Sequence, residues 1–136
     1  MPDASLPPFD TVAAVICDAA GRVLLVRKRG TATFIQPGGK REPGETAMQT
    51  LTRELDEELG VVLDVDGARR LGCFEERAVN EPGRRVRAEV WRVRVHGTPR
   101  PGAEIAELRW VDPRPPWPVP VAPLSAGHVL PAHCRG

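Results

Sequence analysis

The sequence has little of several features that mark particular classes of protein. It contains no tyrosine, and aromatic residues make up 4% of its 136 residues, which leaves few side chains that could stack on a nucleobase. Its charges nearly cancel, since 19 basic and 18 acidic residues give a formal net charge of +1. Without a strong positive field, we expect no nucleic acid polymer as a partner.

Long apolar segments are also absent. No run approaches the ~20 apolar residues of a membrane span, and the N-terminus lacks the basic and apolar regions of a signal peptide. These absences predict no membrane partner and a cytoplasmic location. The length predicts a single domain over residues 1–136, large enough to bury about two thirds of its unfolded surface.

Cysteine is too scarce and too scattered for a disulfide framework or a zinc site. Cys17, Cys73 and Cys134 are odd in number, and none belongs to a C-x-x-C motif or has paired histidines at zinc spacing. Cys17 and Cys73 fall in strand-like apolar segments, so we expect them to be small core residues.

A short amphipathic helix is the clearest element that is present. Apolar residues recur at three- and four-residue intervals from Met48 to Leu59, as they do along one face of an α-helix. Thr46 stands where a polar side chain begins a helix, and Gly60 stands where a left-handed residue ends one. These signals predict about fourteen helical residues, close to the usual length.

Three carboxylates occupy the last two turns of this helix. Glu54, Glu57 and Glu58 have the spacing i, i+3, i+4, which at ~100° per residue places them on one side of the helix. Like charges at this spacing repel each other. A divalent cation among them would explain the arrangement.

Residues 39–61 read G-K-R-E-P-G-E-T-A-M-Q-T-L-T-R-E-L-D-E-E-L-G-V and resemble the Nudix box, G-x5-E-x7-R-E-U-x-E-E-x-G-U, in which U is a bulky apolar residue. The specified positions are all filled, by Gly39, Glu45, Arg53, Glu54, Leu55, Glu57, Glu58, Gly60 and Val61. This resemblance implies the Nudix fold, an α/β/α sandwich with a mixed β-sheet.

The rest of the chain is compatible with an α/β fold. Strand-like segments are expected at residues 9–17 and 23–27, which read as a hairpin, and at 33–36, 61–63, 71–75, 86–95 and 108–111. Residues 112–123 hold six prolines and should form an extended connector. A short helix is expected from about Ser125 to the residue before Pro131, with a frayed tail after Ala132.

The resemblance implies metal-dependent hydrolysis of a nucleoside diphosphate linked to another group. Mg²⁺ or Mn²⁺ suits an all-oxygen site of this kind. The implied metal ligands are Glu54, Glu57, Glu58, the Gly39 carbonyl and Glu104, the last preferred to Glu107 because it lies in a loop. Glu54 is also a candidate base, although in some relatives the base lies outside the box.

Four further residues complete the expected site. Arg53 should pair with Glu45 or with a metal-binding carboxylate and hold it in orientation. Arg27 and Lys40 come from two basic clusters that flank the acidic helix, and we expect them to contact substrate phosphates. Residues of such clusters are more often only solvated charge.

The identity of the substrate is the least determined feature. The segment Pro37-Gly38-Gly39-Lys40 resembles the MutT-like branch of the family, which favours a (deoxy)nucleoside triphosphate cleaved to the monophosphate and pyrophosphate. ADP-ribose, sugar nucleotides, dinucleoside polyphosphates and NADH remain alternatives, as do a non-catalytic nucleotide-binding module and an isopentenyl diphosphate isomerase. The sequence leaves open whether the protein is a monomer or a homodimer.

Overall fold

The computed structural model describes residues 6–136 and is mostly β-structure with helices at two places. Strands β1 to β6 span Phe9–Ile16, Val23–Lys28, Gly38–Lys40, Val62–Arg77, Arg85–His96 and Ile105–Val111. Helix α1, Ala47–Leu59, lies between β3 and β4. A π-helical turn, Ser125–Val129, leads into helix α2, Leu130–Arg135.

The strands form two sheets. The larger has the order β3-β1-β5-β4 and is mixed, because β1 runs parallel to β5 while β1–β3 and β4–β5 are antiparallel. The smaller contains β2 and β6, which pair antiparallel. A parallel pair needs a long crossover, and here the connection from β1 to β5 includes α1.

Alternation along β1 divides the core into two layers. Val12, Ala14 and Ile16 face one side of the sheet and belong to a buried cluster with apolar residues of α1, namely Leu51, Leu55 and Leu59. Ala13 and Val15 face the other side and pack in a second cluster with Val129 and Leu130. The sheet therefore lies between helical layers, and the predicted α/β/α sandwich with a mixed sheet is confirmed.

Helix α1 begins and ends as its sequence predicts. The Thr46 hydroxyl accepts a hydrogen bond from the Gln49 amide at 3.2 Å, and the Gln49 side chain accepts one from the Thr46 amide at 2.9 Å. This reciprocal capping box satisfies two amides that the helix leaves free. Gly60 adopts the left-handed conformation, φ 66°, and donates to Asp56 O at 2.9 Å.

The predicted hairpin of residues 9–17 and 23–27 is wrong. β1 and β2 meet only at an isolated bridge between Cys17 and Val23, and β2 pairs instead with β6. Residues 33–36 likewise form only isolated bridges, at Phe34 and Ile35. The apolar pattern of a segment predicts an extended conformation, but it does not specify the strand with which that segment pairs.

Cys17 and Cys73 are both exposed, so their placement in the core was also wrong. Cys17 follows the last residue of β1, and Cys73 lies on β4, which is an edge strand of the larger sheet. Apolar character of the neighbouring sequence does not bury a residue at a strand end or on an outward face.

The C-terminal segment is more helical than its prolines suggest. The predicted connector 112–123 contains no helix up to residue 122, but Pro123 is already helical. Helix α2 continues through residues 130–135, so the predicted helix end before Pro131 and the predicted frayed tail were both wrong. Pro131 is the second residue of α2 and directly follows the π-helical turn, so the helical backbone continues through this proline. Arg92 also holds the helix, through a hydrogen bond to His133 O at 2.9 Å.

No helix among residues 6–136 is both long enough and apolar enough to cross a membrane.

Candidate active site

A cavity of about 500 Å³ opens beside the C-terminal half of α1. Its walls come from β1, β3 and α1, from the segment 77–81 that leads into the β4–β5 loop, from residues 103–105, and from residues 122–125. The cavity thus lies where the glycine-rich turn, the acidic helix and the C-terminal segment meet.

The three carboxylates identified in the sequence all line this cavity. Glu57 is exposed, whereas Glu58 is only 6% exposed and accepts a hydrogen bond from the Gly38 amide at 3.2 Å. Burial raises the pKa of Glu58 to about 7, and burial also raises the pKa of Glu54. Crowded, partly desolvated carboxylates of this kind are stabilised by a cation.

The two glycines that begin β3 allow these carboxylates to approach the backbone. A Cβ on Gly39 would lie 2.6 Å from both carboxylate oxygens of Glu54. Gly38 has φ 142°, and a Cβ there would lie 2.8 Å from the Ala13 Cα. Side chains at either position would therefore displace the acidic group or β1.

Arg53 links the start of α1 to its carboxylates. Its guanidinium makes a two-point contact with Glu45, at 3.0 Å and 2.8 Å, and donates to Glu54 Oε1 at 2.7 Å and to Lys40 O at 3.1 Å. Such charge-assisted, forked contacts fix the orientation of both partners. Arg53 thus meets both groups that the sequence offered as its partners.

Three groups keep Glu45 ionised and fixed in place. The Arg53 guanidinium holds the pKa of Glu45 at about 2, and the Glu42 amide and the Thr50 hydroxyl each donate to Glu45 Oε1 at 2.9 Å. Glu45 does not line the cavity. Its position behind Arg53 indicates that it orients other groups.

The basic residues are arranged differently from the prediction. Arg27 lies outside the cavity wall, donating to Thr31 O at 2.8 Å and pairing with Glu107 at 3.3 Å. Lys28 is on the wall instead, because successive residues of β2 point to opposite faces. Lys40 also lines the cavity, with its Nζ 4.1 Å from the centre of the Phe9 ring and 3.7 Å from Glu81.

Glu104 lines the cavity, while Glu107 pairs with Arg27 and Arg109. The acidic groups at the cavity are Glu54, Glu57, Glu58, Glu81 and Glu104. Carboxylate oxygens are the ligands that Mg²⁺ and Mn²⁺ prefer. The donor set therefore fits a hard divalent cation.

The carboxylates are not already gathered into a coordination cage. Within residues 6–136, no three Asp, Glu, His or Cys side chains are arranged to hold a metal ion together. Glu54 is bonded to Arg53, and Glu58 is bonded to the Gly38 amide. Glu54 and Glu58 therefore accept from two different donors of the protein, which fix their orientations separately.

Two polar residues of the cavity wall escaped the sequence analysis. Gln36 is 5% exposed and Ser125 is 1% exposed, and both line the cavity. The position of Gln36, directly before Pro37-Gly38-Gly39, was a usable signal for the first. Nothing in the sequence around Ser125 indicates that the C-terminal segment returns to this site.

Comparison with known proteins agrees with this geometry. The NUDIX domain family model matches residues 7–129, and the chain therefore belongs to the Nudix family. The family generally uses divalent metal ions and acts on small nucleotide substrates.

Two curated relatives match most of the chain. The CTP pyrophosphohydrolase of Escherichia coli K12 is 32% identical over 119 residues, which are 84% of each protein. A MutT-like protein of Streptomyces ambofaciens is 30% identical over 114 residues, covering 82% of this chain and 70% of the relative. The RNA pyrophosphohydrolase of Serratia proteamaculans is 46% identical over only 50 residues, so the match spans 29% of that protein's length.

Solved structures share the fold. The E. coli ORF135 protein superposes with a TM-score of 0.76 at 31% identity, over 99% of this chain and 94% of the other. A MutT Nudix hydrolase of Burkholderia pseudomallei gives a TM-score of 0.70 at 26% identity, over 84% and 91%. The protein is thus a Nudix family member with MutT-like relatives.

Proposed function

We propose that the protein is a metal-dependent pyrophosphohydrolase that cleaves a (deoxy)nucleoside triphosphate to the monophosphate and pyrophosphate. The main support for this proposal is that Glu54, Glu57 and Glu58 line the same cavity as Lys28 and Lys40. Similarity to a CTP pyrophosphohydrolase over 84% of the chain supports the triphosphate as the substrate class.

Each charged group has a distinct task in this proposal. The carboxylates of Glu54, Glu57 and Glu58, with the Gly39 carbonyl and Glu104, would hold Mg²⁺ or Mn²⁺, which neutralises phosphate oxygens and acidifies water. Lys28 and Lys40 would contact the phosphate oxygens, and Arg27 would act only by orienting this wall. Their positive charges favour the anionic substrate in the cavity.

Arg53 and Glu45 would position the reacting groups. Because Arg53 donates a hydrogen bond to Glu54 Oε1 at 2.7 Å, it would fix one Glu54 oxygen and leave the other to bind the cation or the attacking water. Glu54 is our candidate for the base that takes a proton from the attacking water, with Glu104 as the alternative outside the box. Positioning of this kind contributes to the rate by holding the reactants in a productive geometry.

The proposal also covers the whole molecule. We propose a single domain that acts in the cytoplasm on a small nucleotide, without a nucleic acid polymer or a membrane as partner. The net charge of +1 supports this view, since it provides no field for a polyanion. Gel filtration distinguishes the monomer from the homodimer.

Turnover measurements test the activity. Nucleoside triphosphates, ADP-ribose, sugar nucleotides and a dinucleoside polyphosphate are supplied with Mg²⁺ or Mn²⁺, and products are separated by ion-exchange chromatography. We expect the triphosphates to yield monophosphate and pyrophosphate. We also expect Glu57→Gln and Glu58→Gln to lose roughly a hundredfold in rate, because each removes a metal-binding charge.

Asp56→Asn is the matched control, because it makes the same charge change on an exposed position of α1 outside this cavity. It should retain the parent rate. Turnover confined to ADP-ribose would refute the triphosphate assignment, and equal rates in all three variants would refute the role of the carboxylates.

A further inference from the structure

Two buried polar atoms of the cavity wall have no hydrogen-bond partner. Within residues 6–136, Gln36 Oε1 and Ser125 Oγ are the buried side-chain nitrogen or oxygen atoms left unsatisfied. Both residues line the cavity that holds the carboxylates, and they are 5% and 1% exposed. Since an unsatisfied buried polar atom is costly, a pair in one cavity indicates a ligand that completes the bonds.

The chain brings these two residues together by a specific backbone contact. The Phe34 amide donates to Pro120 O at 2.8 Å, and the Ala122 amide donates to Phe34 O at 2.9 Å. This pairing lays the end of the proline-rich connector beside residues 34–36. It explains how Ser125, far from Gln36 in sequence, reaches the same wall.

The orientation of the Gln36 amide is fixed by the protein. Its Nε2 donates to Ala14 O at 3.0 Å. Because a carbonyl oxygen can only accept, the amide nitrogen must face Ala14 and Oε1 must be the free atom. Gln36 therefore offers the ligand an acceptor and no donor, whereas the Ser125 hydroxyl can donate or accept.

The surroundings of these atoms suit a flat, mostly apolar ring. The same cavity is lined by Val86, Ala88, Ala122 and Leu124. Gln36 is two residues from Gly38, whose amide contacts Glu58. A nucleotide with its phosphates at the carboxylates would thus extend its base into the part of the cavity that contains Gln36 and Ser125.

We propose that Gln36 and Ser125 select the nucleobase of the substrate, with Gln36 Oε1 accepting a hydrogen bond from an N–H group of the base and Ser125 Oγ bonding to a neighbouring polar atom. This inference rests on the proposed function, because it concerns the base of the same nucleotide. A base without an N–H at the position facing Gln36 leaves that oxygen unsatisfied and is rejected.

The first test compares substrates with and without a base. The parent, Gln36→Met and Ser125→Ala are assayed with the four common nucleoside triphosphates and with the triphosphate of 1,2-dideoxyribose, which has no base. We expect each variant to lose at least about tenfold in kcat/KM on the preferred nucleotide, equivalent to one hydrogen bond. Their rates on the base-free triphosphate should stay within about twofold of the parent.

Substrate analogues test the donor role of the base. The preferred nucleotide is compared with its analogue lacking the exocyclic amine, which is 2-pyrimidinone for cytosine, unsubstituted purine for adenine and hypoxanthine for guanine. For uracil or thymine the comparison is with the N3-methylated ring. The parent should lose at least about tenfold on the analogue, and Gln36→Met should lose almost nothing further. Gln49→Met makes the same change at an exposed position outside the cavity. It removes the capping-box bond to the Thr46 amide and should lower the melting temperature, but its ratio of kcat/KM between the two substrates should match that of the parent.

Thermal stability separates recognition from a structural role. The Ser125 hydroxyl makes no hydrogen bond within the described part of the chain, so Ser125→Ala should keep the melting temperature of the free protein or raise it by ~2–4 °C. A hydroxyl that supported the fold would give a lower melting temperature instead.

Two failures can be told apart. If the parent cleaves no nucleoside triphosphate, the proposed function and this inference both fall. In the second case the parent cleaves nucleoside triphosphates, but Gln36→Met and Ser125→Ala show the same preference as the parent for the natural nucleotide over the base-free triphosphate, measured as the ratio of kcat/KM. That result overturns only the inference, and internal water would then be the partner of the two atoms.

Discussion

At the scale of the residue, the position of the Glu54 carboxylate depends on the missing side chain of Gly39. Gly39 has no Cβ, and the Glu54 carboxylate occupies the space that one would need. The contact involves the end of a flexible side chain and not the backbone. A methyl group at residue 39 can therefore move the carboxylate without disturbing the fold.

Gly39→Ala should consequently separate activity from stability. We expect at least a roughly tenfold loss of kcat/KM, because Glu54 loses the position that Arg53 fixes for it. The melting temperature should remain within ~2 °C of the parent. Steady-state kinetics and a thermal melt measure the two quantities.

Gly127→Ala is the control for this change. Gly127 lies in the π-helical turn without a positive φ, and a Cβ there would meet nothing within 4 Å. Its kcat/KM should match the parent, and its melting temperature should be equal or a few degrees higher, because alanine favours helical backbone more than glycine does. A Gly39→Ala variant with full activity would show that the Glu54 position does not matter for catalysis.

Residue-scale features were the most predictable part of the site. Glu54, Glu57 and Glu58 reach one cavity because helical spacing fixes their side of α1. Arg27 was predicted to contact phosphate, but its neighbour in β2, Lys28, lines the cavity instead. The sequence alone does not show which face of a strand meets the cavity. Ser125 depends on the long-range contact of residues 120–122 with Phe34.

At the scale of the element, α1 carries the three carboxylates of the proposed site and is capped at both ends. Its caps at Thr46 and Gly60 were predictable because capping depends on residues a few positions apart. The pairing of β2 with β6 was not, because strand partners are chosen by packing of distant segments. The same reason accounts for the helical C-terminus.

Thr46→Ala tests the contribution of the N-terminal cap. The variant removes the hydroxyl that accepts from the Gln49 amide, and we expect the free energy of unfolding to fall by about 1 kcal/mol. Urea denaturation followed by circular dichroism measures this change. Turnover at 25 °C should be retained, because the cap lies at the opposite end of α1 from Glu57 and Glu58.

Thr52→Ala provides the comparison, since Thr52 is exposed in the middle of the same helix and its hydroxyl donates only to Met48 O. Its effect should stay within about 0.5 kcal/mol. Equal destabilisation by both changes would argue against a special role for the capping box.

At the scale of the whole molecule, two apolar clusters on opposite faces of the mixed sheet hold a charged cavity at its edge. The core excludes water from one side of α1, and the carboxylates stand on the adjoining side. Burial raises the pKa of Glu58 to about 7, so near neutral pH a proton would compete with the metal ion that we propose for this group.

A Mn²⁺ titration of the nucleotide-free protein tests most directly whether Glu54, Glu57 and Glu58 bind a divalent cation. Electron paramagnetic resonance measures the unbound ion at pH 6 and pH 8. We predict that the parent binds Mn²⁺ more tightly at pH 8, where Glu58 is ionised. Glu58→Gln should bind at least about tenfold more weakly than the parent at pH 8, and Asp56→Asn should bind as the parent does. Equal binding by the parent and Glu58→Gln at both pH values would contradict this prediction.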